Sequence, residues 1–181
     1  MSRAIEDLLQ DHEAILSALN LLANINHKLE TASPVDPGDL SAFIGFLKEF
    51  ADKCHHGKEE GLLFPAMAEA GVPQAGGPLG VMLEEHEQGR RWIAAMSAAI
   101  EPQLDAFAFI RAAQGYTELL QAHIGKENRV LFPIAERVLS PERLEYLYQA
   151  FEAHESKMIG QGRHQELHEL LESLKDKYVA G

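Results

Sequence analysis

Near the N-terminus the apolar residues Ile5, Leu8, Leu9, Ile15, Leu16, Leu19 and Leu22 recur with the 3.6-residue period of an amphipathic helix, and His12 falls on the same stripe. The breaker-rich stretch TASPVDPG separates this helix from a second. That one is predicted to start near Asp39 as N-cap, to carry Phe43, Ile44, Leu47 and Ala51 on toward Leu62 and Leu63, and to fade between Pro65 and Ala70. After GVPQAGGP a third helix places Leu79, Met82, Leu83, Ile93, Met96 and Ile100 on one face, with His86 among them. Pro102 permits a restart, and a fourth helix uses Leu104, Phe107, Tyr116, Leu119, Leu120, Val130, Leu131 and Ile134 up to the break at Ser140-Pro141. Pro141 to Tyr178 reads as one or two further helices, interrupted near Gly160 and Gly162. No alternating strand pattern of useful length appears. The fold class is all-α: an up-down-up-down four-helix bundle over residues 1–140, with an additional C-terminal helical segment over 141–181 packed on it.

Composition narrows the functions. The chain has 181 residues, 46% hydrophobic and 24% charged, which suits one ordinary globular domain with a short appendage. Its formal net charge of −12 repels phosphate backbones, so nucleic acid is excluded as a partner. The longest apolar run, Trp92 to Ile100, is far short of the ~20 residues that cross a bilayer. The single cysteine, Cys54, forms no internal disulfide, and the N-terminus has no secretory pattern; a reducing cytoplasm is the expected location. The stretch GVPQAGGPLG lacks the Gly-Lys-Ser/Thr ending of a phosphate loop and reads as a linker. No nucleophile triad is found. Nine histidines are the unusual count.

Their placement obeys an internal repeat. His55-His56-Gly57-Lys58-Glu59-Glu60-Gly61-Leu62-Leu63-Phe64-Pro65 and His123-Ile124-Gly125-Lys126-Glu127-Asn128-Arg129-Val130-Leu131-Phe132-Pro133 agree at seven of eleven positions. A weaker echo pairs Leu9-Gln-Asp-His12-Glu13 with Leu83-Glu-Glu-His86-Glu87, so the chain reads as a duplicated helical hairpin. Of the two i,i+4 pairs His55/Glu59 and His56/Glu60, only the first is duplicated. His55 and Glu59 are therefore assigned inward, and His56 and Glu60 toward solvent or a supporting position behind the inner residues. Gly57 and Gly125, repeated mid-helix, suggest close helix approach; Lys58 and Lys126 read as surface residues, His27 and His168 as exposed, and Tyr116 as core with a hydroxyl within reach of a bound ligand.

Residues four apart share a helix face, so His55/Glu59 and His123/Glu127 each present an imidazole and a carboxylate to one point. Both pairs lie on apolar stripes, as do His12 and His86. Four imidazoles and two carboxylates buried among Leu, Ile and Phe need compensation, and metal supplies it: two facing pairs suit a dinuclear centre bridged by the carboxylates. Thiolate is missing from the set, since Cys54 points about 100° away from His55. Imidazole plus carboxylate suits iron first, then manganese or zinc.

The His-x-x-x-Glu pairs, the lone histidines on the first and third helices and the Lys-Glu…Leu-Phe-Pro endings resemble the hemerythrin-type (HHE) cation-binding domain from about Ile5 to Leu139. The resemblance implies a centre of two Fe ions with an oxo or hydroxo bridge, His12, His55, His86 and His123 as terminal ligands, and Glu59 and Glu127 as bridges. The oxygen-carrying members have a second histidine four residues after the one on the third helix, where this chain has Arg90, and an Asp one residue farther along in the last pair. The motifs are closer to bacterial HHE proteins and to iron-centre repair proteins, whose cysteine-bearing N-terminal domain is not found in these residues. Family resemblance around Ile159-Gly160 and Gly162 makes His164 the candidate for a further metal ligand, followed by His154 in its Phe151…Met158 spacing. The expected function is a di-iron protein binding or sensing O2 or NO. The alternatives are a di-iron enzyme decomposing peroxide or reducing NO, and iron storage, buffering or a structural metal. The expected partner is a small diatomic or peroxide ligand; no signal for a protein partner is found.

Overall fold

A computed structural model describes residues 1–160 and 162–179; Gln161, Ala180 and Gly181, which belong to the C-terminal segment expected over 141–181, lie outside the described residues. Helix α1 (Arg3–Glu30) begins where the Ser2 hydroxyl accepts from the Ile5 amide at 3.4 Å, and it buries Ile5, Leu8, Ile15, Leu19 and Leu22 on one face. Helix α2 (Pro37–Phe46) starts earlier than the sequence suggests. Asp36, not Asp39, is its N-cap, accepting from the Gly38 amide at 2.8 Å, because Pro37 fits the first helical position, where an N–H is not needed. The rod then continues without a break through two widened, π-helical stretches, Leu47–His56 and Glu59–Leu63, into α3 (Phe64–Glu69).

Helix α4 (Pro78–Ala99) forms the third rod. The fourth, α5 (Ala106–Lys126), is capped by Asp105 on the Ala108 amide at 3.0 Å, widens over Glu127–Leu131 and continues as α6 (Phe132–Val138). The two copies of the repeat thus share a backbone feature as well as residues. Each widens over its Glu and returns to α-helix at Phe-Pro. A proline donates no N–H and its ring crowds the carbonyl four residues back, and a wider preceding turn accommodates both effects. The widening also rotates the residues within it relative to an ideal helix, so Val130 faces solvent at 52% exposure instead of the core. Phe107 is 72% exposed, and Phe109, fully buried, takes the core place expected of it.

The C-terminal segment forms α7 (Pro141–Met158), capped by Ser140, and α8 (Arg163–Tyr178). Gly160 and Gly162, at φ +89° and +83°, supply the left-handed backbone between them that other residues rarely adopt. The core divides into two apolar clusters. One holds Ile15 to Ile25, Phe43 to Ala51, Ile93, Met96 and Tyr116, closed by Leu167, Leu171 and Leu174 of α8. The other holds Ile5, Leu8, Leu63 to Met67, Leu79 and Phe132, closed by Leu144, Leu147 and Phe151 of α7. Residues 12, 55–59, 86 and 123–127 fall between the clusters in chain position on every rod. Among the described residues there is no strand, and no helix is long and apolar enough to cross a membrane.

The two repeated glycines differ in surroundings. A Cβ on Gly57 would lie 2.6 Å from Nε2 of His154, which is not easily displaced because it bonds the Lys53 carbonyl, whereas a Cβ on Gly125 meets only the flexible tip of Arg129 at 3.0 Å. Close approach therefore belongs to the first copy alone. Gly57→Ala is expected to cost about 1–2 kcal/mol, and Gly125→Ala to be neutral or stabilising by up to about 1 kcal/mol, as read by urea denaturation.

Candidate metal centre

The i,i+4 geometry of the widened second rod and of α5 brings His55 with Glu59, and His123 with Glu127, to the axis of the bundle, where α1 supplies His12 and α4 supplies His86. All six are at most 1% exposed. They assemble as two overlapping groups of donor atoms, each within 4.8 Å: His12, His55, Glu59 and Glu127, and His56, Glu59, His86 and His123. Glu59 belongs to both. His12 Nε2 lies 3.2 Å from Glu127 Oε2, His123 Nε2 also 3.2 Å from it, and His86 Nε2 3.4 Å from Glu59 Oε2 and 4.0 Å from Glu127 Oε1.

The outward nitrogens are all engaged. Each Nδ1–H donates to an acceptor behind it: His55 to Asp11 Oδ2 at 3.2 Å, His86 to Glu60 Oε1 at 2.7 Å, His123 to Glu85 Oε2 at 2.9 Å, and His12 to Asn128 Oδ1 at 2.6 Å. This leaves Nε2 as the nitrogen of each ring that is aimed inward. His86 Nε2 and His123 Nε2 face each other at 3.1 Å, within hydrogen-bond distance. All four oxygens of Glu59 and Glu127, and Nε2 of His12 and His55, are buried with no hydrogen-bond partner. Such a set of nitrogen and oxygen donors is unfavourable as it stands and fits a metal cation.

The charges respond to one another. Burial alone pushes the Glu127 carboxyl up, but the neighbouring His123 and His12 outweigh it and hold it well below the usual carboxylate range. Burial disfavours the His123 imidazolium, yet Glu127 and Glu85 raise it to about 10. His56 goes the other way. Burial, the adjacent imidazoles and Arg90 drive it well below its ordinary value, so it is neutral. Cys54 is packed in the core, and burial pushes its thiol up to about 12.

Several expectations require correction. His56, assigned outward, is 2% exposed and stacks on His86 with ring centroids 3.9 Å apart. The widened turns of the second rod reduce the angle between neighbouring residues, so both His55 and His56 reach the interior. Lys58, read as a surface residue, is fully buried with its ammonium 2.7 Å from both Asp7 and Asp11; α7 covers it, and only Lys126, 40% exposed and paired with Glu85, behaves as a surface lysine. His164 is not brought to the cluster: it sits on α8 against Phe50, 2.8 Å from Glu155 and 3.0 Å from His168, which is half-buried. His154 bonds the Lys53 carbonyl instead, and His27 is exposed. The Tyr116 hydroxyl is fully buried with no partner.

Glu60 takes the supporting position that was one of its two expected places, behind His86; the other supporting residues were missed although the repeat held their signal. Asp11 and Glu85 each precede the lone histidine of their copy, Glu60 and Asn128 each come directly after the inward Glu, and Lys58 and Lys126 each precede it. Arg90, standing where a second histidine would be, clamps Glu60 at 2.6 Å and Asp52 at 2.8 Å.

Comparison with known proteins supports a metal-binding role. The model of the hemerythrin HHE cation-binding domain matches residues 3–135. The uncharacterized protein Rv1995 of Mycobacterium tuberculosis is 26% identical over 165 residues, covering 87% of this chain and 63% of that protein. The iron-sulfur cluster repair protein YtfE of Escherichia coli (strain SMS-3-5 / SECEC) is 31% identical over 131 residues, covering 68% of this chain and 59% of that protein. The chain spans about six-tenths of the length of these curated relatives. No solved structure matches it.

Lys58→Met is expected to cost about 3–5 kcal/mol in the metal-free chain because it strands the Asp11 carboxylate in the interior. Lys126→Met, at the partly exposed counterpart, should cost at most about 1 kcal/mol. Denaturant titration of both variants tests the asymmetry.

Proposed function

The chain belongs to the hemerythrin HHE cation-binding domain family, and from that premise we propose that it is a non-haem di-iron protein that binds or senses O2 or NO at the buried donor ring. The observation that carries this reading is the convergence of imidazole Nε2 and carboxylate oxygen atoms from four rods in one buried ring, where all four carboxylate oxygens and Nε2 of His12 and His55 have no hydrogen-bond partner. His12 and His55 would hold one ion, His86 and His123 the other, with Glu59 and Glu127 bridging. A donor set of imidazole and carboxylate without thiolate suits iron, with manganese and zinc next. When bound, the ion pair supplies Lewis-acid and redox chemistry to a small ligand.

The chain's own residues orient, tune and exclude. Asp11, Glu60 and Glu85 fix the tautomer of their histidines and make Nε2 more basic, while Asn128, a neutral acceptor, fixes His12 without adding charge. Lys58 and Arg90 give the outer carboxylates Asp11 and Glu60 cationic partners of their own. The two apolar clusters flank the ring, whose six side chains are at most 1% exposed, and keep bulk water from it.

A second reading, a di-iron enzyme that decomposes peroxide or reduces NO, draws on the same donor count. Six protein donors, two of them bridging, leave coordination places for turnover. Metal analysis of iron-grown protein should give two ions per chain. Anaerobic mixing of the reduced protein with O2, NO and peroxide then separates the two: a persistent adduct supports binding or sensing, multiple-turnover loss of the reagent supports the enzyme, and an unreactive centre contradicts both.

The same geometry sets opposite effects on folding and loading. Glu59→Gln removes a buried charge with no hydrogen bond, so the metal-free variant should be more stable by about 1–3 kcal/mol. It should also lose the rise in melting temperature that metal gives the wild-type chain. Thermal and chemical denaturation with and without metal checks both signs.

A further inference from the structure

We propose that His56 is a fifth imidazole donor to the dinuclear centre, which makes its two ions inequivalent. The inference rests on the dinuclear reading above and adds a ligand to it. His56 is 2% exposed, and neither of its ring nitrogens has a hydrogen-bond partner. One of its nitrogens lies within 4.8 Å of donor atoms of Glu59, His86 and His123. Its ring stacks on His86 at 3.9 Å and 14°, and meets His123 edge-on at 5.8 Å and 80°. The acid nearest in sequence register, Asp52, stands 3.6 Å from Nδ1 and is taken up by Arg90 at 2.8 Å.

The repeat supplies the contrast. At the matching place of the second copy stands Ile124, also buried, so packing in this fold is satisfied by an apolar side chain at that position. An imidazole buried there with two bare nitrogens is accounted for by a ligand, not by packing. With Glu59 and Glu127 shared as bridges, the second ion then has five donors, adding His56, His86 and His123, while the first has four, adding His12 and His55. Ile124 offers no donor, so the ion on the His12 and His55 side is the one that keeps a place for a small exogenous ligand.

The test uses zinc, which is diamagnetic, and the full chain labelled with 15N-histidine. The zinc-loaded wild-type protein should show five metal-bound imidazole nitrogens, and His56→Ile should show four. In chelator competition the variant should bind the first zinc as the wild type does and the second at least about tenfold more weakly, with helix content unchanged by circular dichroism. Four bound imidazoles in the wild type would overturn the proposal and leave the dinuclear reading standing; fewer than four would overturn both. Retention of both zinc affinities within about twofold in His56→Ile would equally overturn it. The wild-type count decides on its own if the variant does not fold.

Discussion

Two carboxylates, Glu59 and Glu127, sit at the centre of the molecule with no hydrogen bond to any of their four oxygens. That is the constraint around which the rest is arranged. A buried carboxylate must be neutralised, paired or bound to a cation. The chain surrounds this pair with imidazoles whose outer nitrogens are already committed, so the inner nitrogens are the ones that face the carboxylates. In the layer behind them every acid has a cationic partner, although three cations face five carboxylates: Lys58 pairs with Asp7 and Asp11, Lys126 with Glu85, and Arg90 with Glu60 and Asp52. Only the inner ring is left with unmet electron pairs.

Duplication explains how so many groups converge. Each helical hairpin contributes an acid before its lone histidine, a lysine before its inward Glu and an acceptor after it. The acid and the lysine serve their own hairpin's histidines and acids through contacts between neighbouring rods, whereas Glu60 and Asn128 reach across to the other hairpin, to His86 and His12. Departures from the repeat are therefore departures from symmetry at the metal. Asn128 replaces a charged acceptor with a neutral one, and Ile124 replaces an imidazole with a hydrocarbon.

The helices and six inner donors were legible because helical period and i,i+4 spacing translate directly into a shared face. His56 was not, since an ideal α-helix turns about 100° per residue and lets only one of two adjacent histidines face inward; the widened turns before Phe-Pro relax that rule, and nothing in residue type announces them. Lys58 was misplaced for a different reason. Its burial depends on α7 lying over the second rod at Gly57, a tertiary contact that no local pattern encodes. His164 was chosen by resemblance, and α8 instead carries it to Phe50 and Glu155, where it serves the packing of the C-terminal segment.

Anomalous diffraction at the iron edge, from crystals of the iron-loaded chain, tests the central claim most directly. Two peaks about 3.5–4 Å apart, both between Glu59 and Glu127 and flanked by the Nε2 atoms of His12, His55, His86 and His123, are the predicted result. A single peak, or peaks outside the ring of these six side chains, would contradict it.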